Sequence, residues 1–199
     1  MEGKKDRGML FGIVAMVVAI VGTGVAFAAL STTLTFNGDA EVDPASWNVH
    51  FKGPINTVKG GAASETSTPV LSSTSINDIS VVLTKPGDSV TYTFDVENTG
   101  TLDAQIGTFN APGPLVCTAV GTNNGANDED TVCNNVTYTV KYVSGGSNLA
   151  VGDALLKGAG NARTIEVKIE YNAAATELPE DKVTISGLDF SMNYVEKAS

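Results

Sequence analysis

The chain has 199 residues, of which 12 are basic and 22 acidic, so its net charge is −10, and 42% of it is hydrophobic. About thirty N-terminal residues differ in kind from the rest, and what remains is long enough for one domain with a full hydrophobic core. So acidic a chain is ill suited to bind nucleic acid or anionic lipid by broad electrostatics, and membrane contact is expected only through its N-terminal segment.

Lys4, Lys5 and Arg7 precede Met9–Leu30, a run of 22 residues without a charge that ends in Gly22-Thr23-Gly24-Val25-Ala26-Phe27-Ala28-Ala29. A basic head, an apolar middle and the Ala26-x-Ala28 exit predict a signal helix, residues 1–28, cleaved after Ala28. Residues 29–199 then form a single domain of net charge −11. An uncleaved anchor is the alternative, because the whole run can span a bilayer of roughly 30 Å. A type IV pilin cleavage mark at Arg7-Gly8 ranks last, since no glutamate follows at the expected place. All three readings export the domain, to the medium or the cell surface.

From Leu30 onward the chain is rich in Thr, Ser, Val and Gly, and its apolar residues recur at every second position, the period of a half-buried strand. Leu34 and Phe36 alternate with Thr33, Thr35 and Asn37. Trp47, Val49 and Phe51 alternate after the turn at Asp43-Pro44-Ala45, which predicts a core position for Trp47. Lys52–Asn77 reads as a long loop with a weak edge strand at Pro69–Leu71. Ile79–Leu83, Ser89–Asn98 and Leu102–Ile106 are expected to be three strands of one antiparallel sheet, joined through turns at Lys85-Pro86-Gly87-Asp88 and Asn98-Thr99-Gly100. In the middle strand Val90, Tyr92, Phe94 and Val96 are the buried set. Pro112-Gly113-Pro114 breaks the next stretch before Leu115–Val120, and Asn123–Asp130 reads as a polar acidic loop.

Val136–Tyr142 and Ile165–Tyr171 are half-buried strands by the same alternation. Val151–Leu156 is a short strand or a helical turn. Val183–Tyr194 alternates in two phases, with Gly187 where a bulge would put the slip. Seven to nine strands separated by turn signals predict an all-β fold, a two-sheet antiparallel β-sandwich of jelly-roll or immunoglobulin-like kind.

Few residues carry candidate chemistry. Cys117 and Cys133, the only cysteines, predict one disulfide across the base of a hairpin in an exported domain. His50 is the only histidine, so no histidine-based metal pair can form within the chain, and its position in the alternation puts it on the polar side of its strand. The sequence holds neither a Gly-x-Ser-x-Gly elbow nor a phosphate-binding loop, and no cofactor is expected. Asp128 and Asp130 are candidate calcium ligands, in a spacing that misses the known loop pattern. Asn135-Val136-Thr137 matches an N-glycosylation acceptor.

The signal ending Gly-x-Gly-Val-Ala-Phe-Ala, the strand after it, Leu83-Thr84-Lys85-Pro86-Gly87-Asp88 and Phe94-Asp95-Val96-Glu97-Asn98-Thr99-Gly100-Thr101-Leu102 together resemble the TasA/camelysin family of bacterial surface proteins with SipW-dependent-type signal peptides. That resemblance covers about the first half of the chain. It implies a jelly-roll subunit of an extracellular, biofilm-matrix fibre, a head-to-tail homopolymer in which the strand uncovered by cleavage completes the next subunit's sheet. The donor strand would be Ala29–Val42, with Leu30, Thr32, Leu34 and Phe36 along it. Two alternatives are a monomeric surface adhesin using loops 52–77 and 121–131, and a camelysin-like metallopeptidase, for which no metal or nucleophile constellation is recognisable.

Overall fold

A computed structural model describes residue 41 and residues 43–198, except 122, 124 and 159. The expected signal helix, its exit at Ala26 and Ala28, and the donor residues Leu30, Thr32, Leu34 and Phe36 lie outside the described residues. From Pro44 onward the chain forms one compact unit.

The unit is mostly β. Its strands are β1 (Val49–Gly60), β2 (Ser64–Glu65), β3 (Val70–Leu71), β4 (Ile76–Asn77), β5 (Val81–Val82), β6 (Ser89–Asn98), β7 (Ala104–Asn110) and β8 (Val116–Val120). A short helix α1 (Gly125–Cys133) follows, then β9 (Val136–Tyr142), β10 (Ala154–Leu155), β11 (Arg163–Tyr171), β12 (Lys182–Ser186) and β13 (Ser191–Glu196). The sheets are β1-β6-β11-β9, β10-β7-β13, and the two-stranded β12-β8, β2-β5 and β3-β4. Every strand pairing is antiparallel.

Strand β6 has the alternation read from its sequence, with Val90, Tyr92, Phe94 and Val96 all at most 3% exposed. Its neighbours, however, are β1 and β11. The expected three-strand meander does not form: β5 pairs with β2, and β7 lies in the sheet with β10 and β13. The corner after β6 is the reason. Asn98 is buried and donates from Nδ2 to Leu102 O (2.8 Å) and Leu155 O (3.3 Å), while its Oδ1 accepts from Gly100 N (3.1 Å). The chain therefore crosses to a second sheet, and Ala104 and Ile106 share one core with Val90, Tyr92, Phe94, Val96, Ile165 and Val167. Alternating strands joined by such a corner bury their apolar sides toward one another.

A second cluster holds α1 and the β8-β12 ribbon against the ends of β9 and β11, through Val132, Val136, Ile169, Tyr171, Val183 and Ile185. The acidic loop expected at Asn123–Asp130 is largely this helix. Its Asn and Asp residues favour turns in isolation, but Glu129 Oε1 accepts from Ala119 N (2.9 Å) and the Cys117–Cys133 disulfide ties the helix end to β8. That disulfide joins a strand to a helix end, not the base of a hairpin. The expected bulge at Gly187 is likewise a change of sheet: β12 pairs with β8 and β13 with β7. Gly187 has φ 85°, and a Cβ there would lie 2.9 Å from Pro114 O. The bulge sits instead on β7, where Gly107 is skipped between the pairs Asn193–Thr108 and Tyr194–Ile106.

Most of the expected loop 52–77 is strand, since β1 runs on to Gly60 after a register break between Lys52 and Asn56. The edge strand expected near Val70–Leu71 is present as β3.

Candidate functional site

Strand β13 closes the β10-β7-β13 sheet on one side, and among the described residues nothing pairs with its other edge. Beside it lies a cleft of about 600 Å³. Phe94, Val96 and Val167 of the four-stranded sheet line it, with Val49 and Phe51 of β1. The β3-β4 hairpin contributes Ile76, and Phe190, Met192 and Tyr194 come from the β13 side.

The lining is mixed: apolar side chains of β1, β6, β11 and the β13 side meet a polar wall of Ser73, Thr74, Ser75, Asn77, Asp189 and Asn193. Phe51 and Phe94 meet edge to face, with ring centroids 5.4 Å apart. The hairpin is held to β1 by Phe51 N donating to Ser73 O (2.9 Å). Burial, with the Asp153 carboxylate second, pushes the Tyr194 hydroxyl up to about 12, so it stays protonated. Its Oη is buried without a hydrogen-bond partner among the described residues. Buried polar atoms left in that state are uncommon in a completed fold.

Trp47 lines the cleft as well and is 46% exposed, where the alternation predicted a core position. It precedes the paired part of β1, which begins at Val49. Of the other candidate residues His50 also borders the cleft, while Asp128, Asp130 and Asn135 do not line it. His50 is on the face of β1 opposite Val49 and Phe51, with Nε2 3.1 Å from Glu97 Oε1; Glu97 also accepts from Lys52 Nζ at 2.6 Å. The Lys52 hydrogen bond is the main reason the Glu97 carboxyl titrates below its ordinary range.

Asp128 is buried, and its carboxylate accepts from Glu180 N (2.9 Å) and Asp181 N (2.7 Å), while Asp130 is exposed. One of the two expected calcium ligands thus serves to hold the 180–181 loop on α1. Among the described residues no group of three His, Cys, Asp or Glu side chains is placed to hold a metal, and no helix is long and apolar enough to cross a membrane. Asn135 of the glycosylation acceptor is half-buried, and its Nδ2 donates to Thr131 O (2.9 Å). No protein-family model matches this chain, nor does any curated protein or solved structure.

Sequence periodicity did not reveal the cleft, because its walls are far apart in the chain. The one available signal was the second alternation phase of Leu188, Phe190, Met192 and Tyr194, which gives that segment an apolar face of its own.

Proposed function

We propose that the chain is a structural subunit of an extracellular fibre, and that the cleft beside β13 accepts the segment Ala29–Val42 of a neighbouring copy. On this reading the four-stranded and three-stranded sheets are the two layers of a jelly-roll-type sandwich that lacks one strand. The single observation that carries it is a cleft with both apolar and polar walls next to a strand edge with no partner among the described residues. Unpaired edges are normally blunted or covered, because their free N–H and C=O groups recruit another strand. The disulfide agrees with export to an oxidising compartment. The family resemblance and the alternation of Leu34 and Phe36 with threonines lead to the same assembly.

Connectivity favours a neighbour's segment over the chain's own. Ser46 is tied to Thr101 by two hydrogen bonds, and the C-terminal end of β13 is close by, with Glu196 opposite Ala104 and Lys197 N donating to Asp103 O (2.8 Å). A segment ending just before Ser46 and lying along β13 of its own molecule would run parallel to it, or would spend residues 38–45 on a return. A neighbour's segment is free to run antiparallel, like every pair in the unit.

Negative-stain microscopy of the exported protein tests the proposal. Filaments are expected, and deletion of Leu30–Asn37 should abolish them while leaving a folded monomer. A wild-type protein that stays a monodisperse monomer at high concentration overturns it.

A further inference from the structure

The chain's only tryptophan stands half exposed at the mouth of the cleft, yet its backbone is clamped on both sides. On one side Ser46 N donates to Thr101 Oγ1 (2.8 Å) and Thr101 N donates to Ser46 O (3.0 Å). On the other, Thr99 N donates to Asn48 O (3.0 Å) and Asn48 Nδ2 donates to Thr99 Oγ1 (2.7 Å). Between them lies Gly100, where a Cβ would stand 2.6 Å from Ser46 O and 2.9 Å from Asn48 N. Only a residue without a side chain lets the two segments lie this close. Buried Asn98 shapes the turn by bonding Gly100 N, Leu102 O and Leu155 O. The Glu97-Asn98-Thr99-Gly100-Thr101 stretch is thus the seat on which Trp47 is held.

A large aromatic whose backbone is fixed before any partner arrives, and which is left half exposed beside a cleft, has the properties of an interface anchor. Its backbone has little freedom left to lose on binding, and the indole supplies a wide apolar surface with one N–H donor. We infer that Trp47 is the anchor of the subunit contact, its indole closing over the Ala29–Val42 segment of a second copy when that segment enters the cleft. This inference rests on the fibre reading and assigns the residue that governs affinity within it.

Because Trp47 is the only tryptophan, the emission of the full exported chain reports on this residue alone. Emission is measured on dilute monomer, on assembled protein, and on monomer mixed with a synthetic peptide of residues 29–42. A shift to shorter wavelength is expected on assembly and with the peptide. Trp47→Ala should raise the critical concentration for assembly, measured by sedimentation, at least about tenfold, and Trp47→Phe should raise it less. Filaments that form with unshifted emission, or a Trp47→Ala chain that assembles at the wild-type concentration, overturn the anchor role and leave the fibre reading standing. A chain that neither assembles nor responds to the peptide overturns both.

Discussion

Asp88 is fully buried in the turn that leads into β6, and its carboxylate is the sole acceptor for three backbone donors: Ala62 N at 2.7 Å on Oδ1, and Thr84 N at 2.7 Å and Lys85 N at 3.0 Å on Oδ2. Its own backbone is bonded to the end of β11, with Tyr171 N donating to Asp88 O (2.9 Å). One side chain therefore pins the end of β1, the start of β6 and the approach to them. Asp88→Ala removes all three acceptor contacts, made by a buried carboxylate in a partly buried turn. A hydrogen bond to an ionised group contributes roughly 1.5–3 kcal/mol, so three at the low end amount to about 4–5 kcal/mol. That is a large part of the roughly 5–15 kcal/mol by which domains are usually stable.

In a domain of this size the loss corresponds to a melting temperature lower by about 10–15 °C. Asp88→Asn keeps one acceptor oxygen, which can still serve the Thr84 and Lys85 donors, and should cost about 2 kcal/mol. Urea unfolding followed by circular dichroism measures both variants. A loss below about 1 kcal/mol for Asp88→Ala, or equal losses for the two variants, would refute the account of three donors on one carboxylate.

The same residue predicts a pH dependence. Burial by itself would raise the Asp88 pKa, but the three backbone donors, assisted by Lys85, outweigh it and the carboxyl titrates below its ordinary range. Its contribution is thus complete above a pH of about 4 and is lost as pH falls through the lowered folded value; Glu97 acts in the same direction. Urea midpoints measured down the acid limb should fall, and fall less steeply in Asp88→Asn. Replacing Cys117 and Cys133 together by Ser opens a link between residues 16 apart, which should cost about 3 kcal/mol. Hydrogen exchange should then rise first in α1, β8 and β12, with β6 and β11 still protected. Gly100→Ala should force Ser46 and Asn48 off the turn, costing about 1–3 kcal/mol for two backbone hydrogen bonds. Sedimentation should show that it weakens assembly as Trp47→Ala does, with the sheet signal in circular dichroism retained.

The strands themselves were legible where alternation was long. Ser89–Asn98, Val136–Tyr142 and Ile165–Tyr171 could be placed with their buried faces because period two is a property of the local backbone. Helix α1 was not, since its Asn and Asp residues favour turns and its stability comes from Ala119, Cys117 and the 180–181 loop. Trp47 was misplaced for a related reason. Its spacing from Val49 and Phe51 continues the alternation, but it precedes the paired part of β1, where alternation no longer implies a facing layer.

What the sequence by itself determined is which residues of each long strand turn inward, that the two cysteines pair, and that the fold is built of β-strands. Partnership was decided only in three dimensions. Whether β7 lies beside β6 or opposite it depends on the corner at Asn98, and whether β13 joins β12 or leaves it depends on Gly187. The cleft beside β13 follows from those two choices together, because which strand edge lacks a partner among the described residues depends on how distant segments have paired.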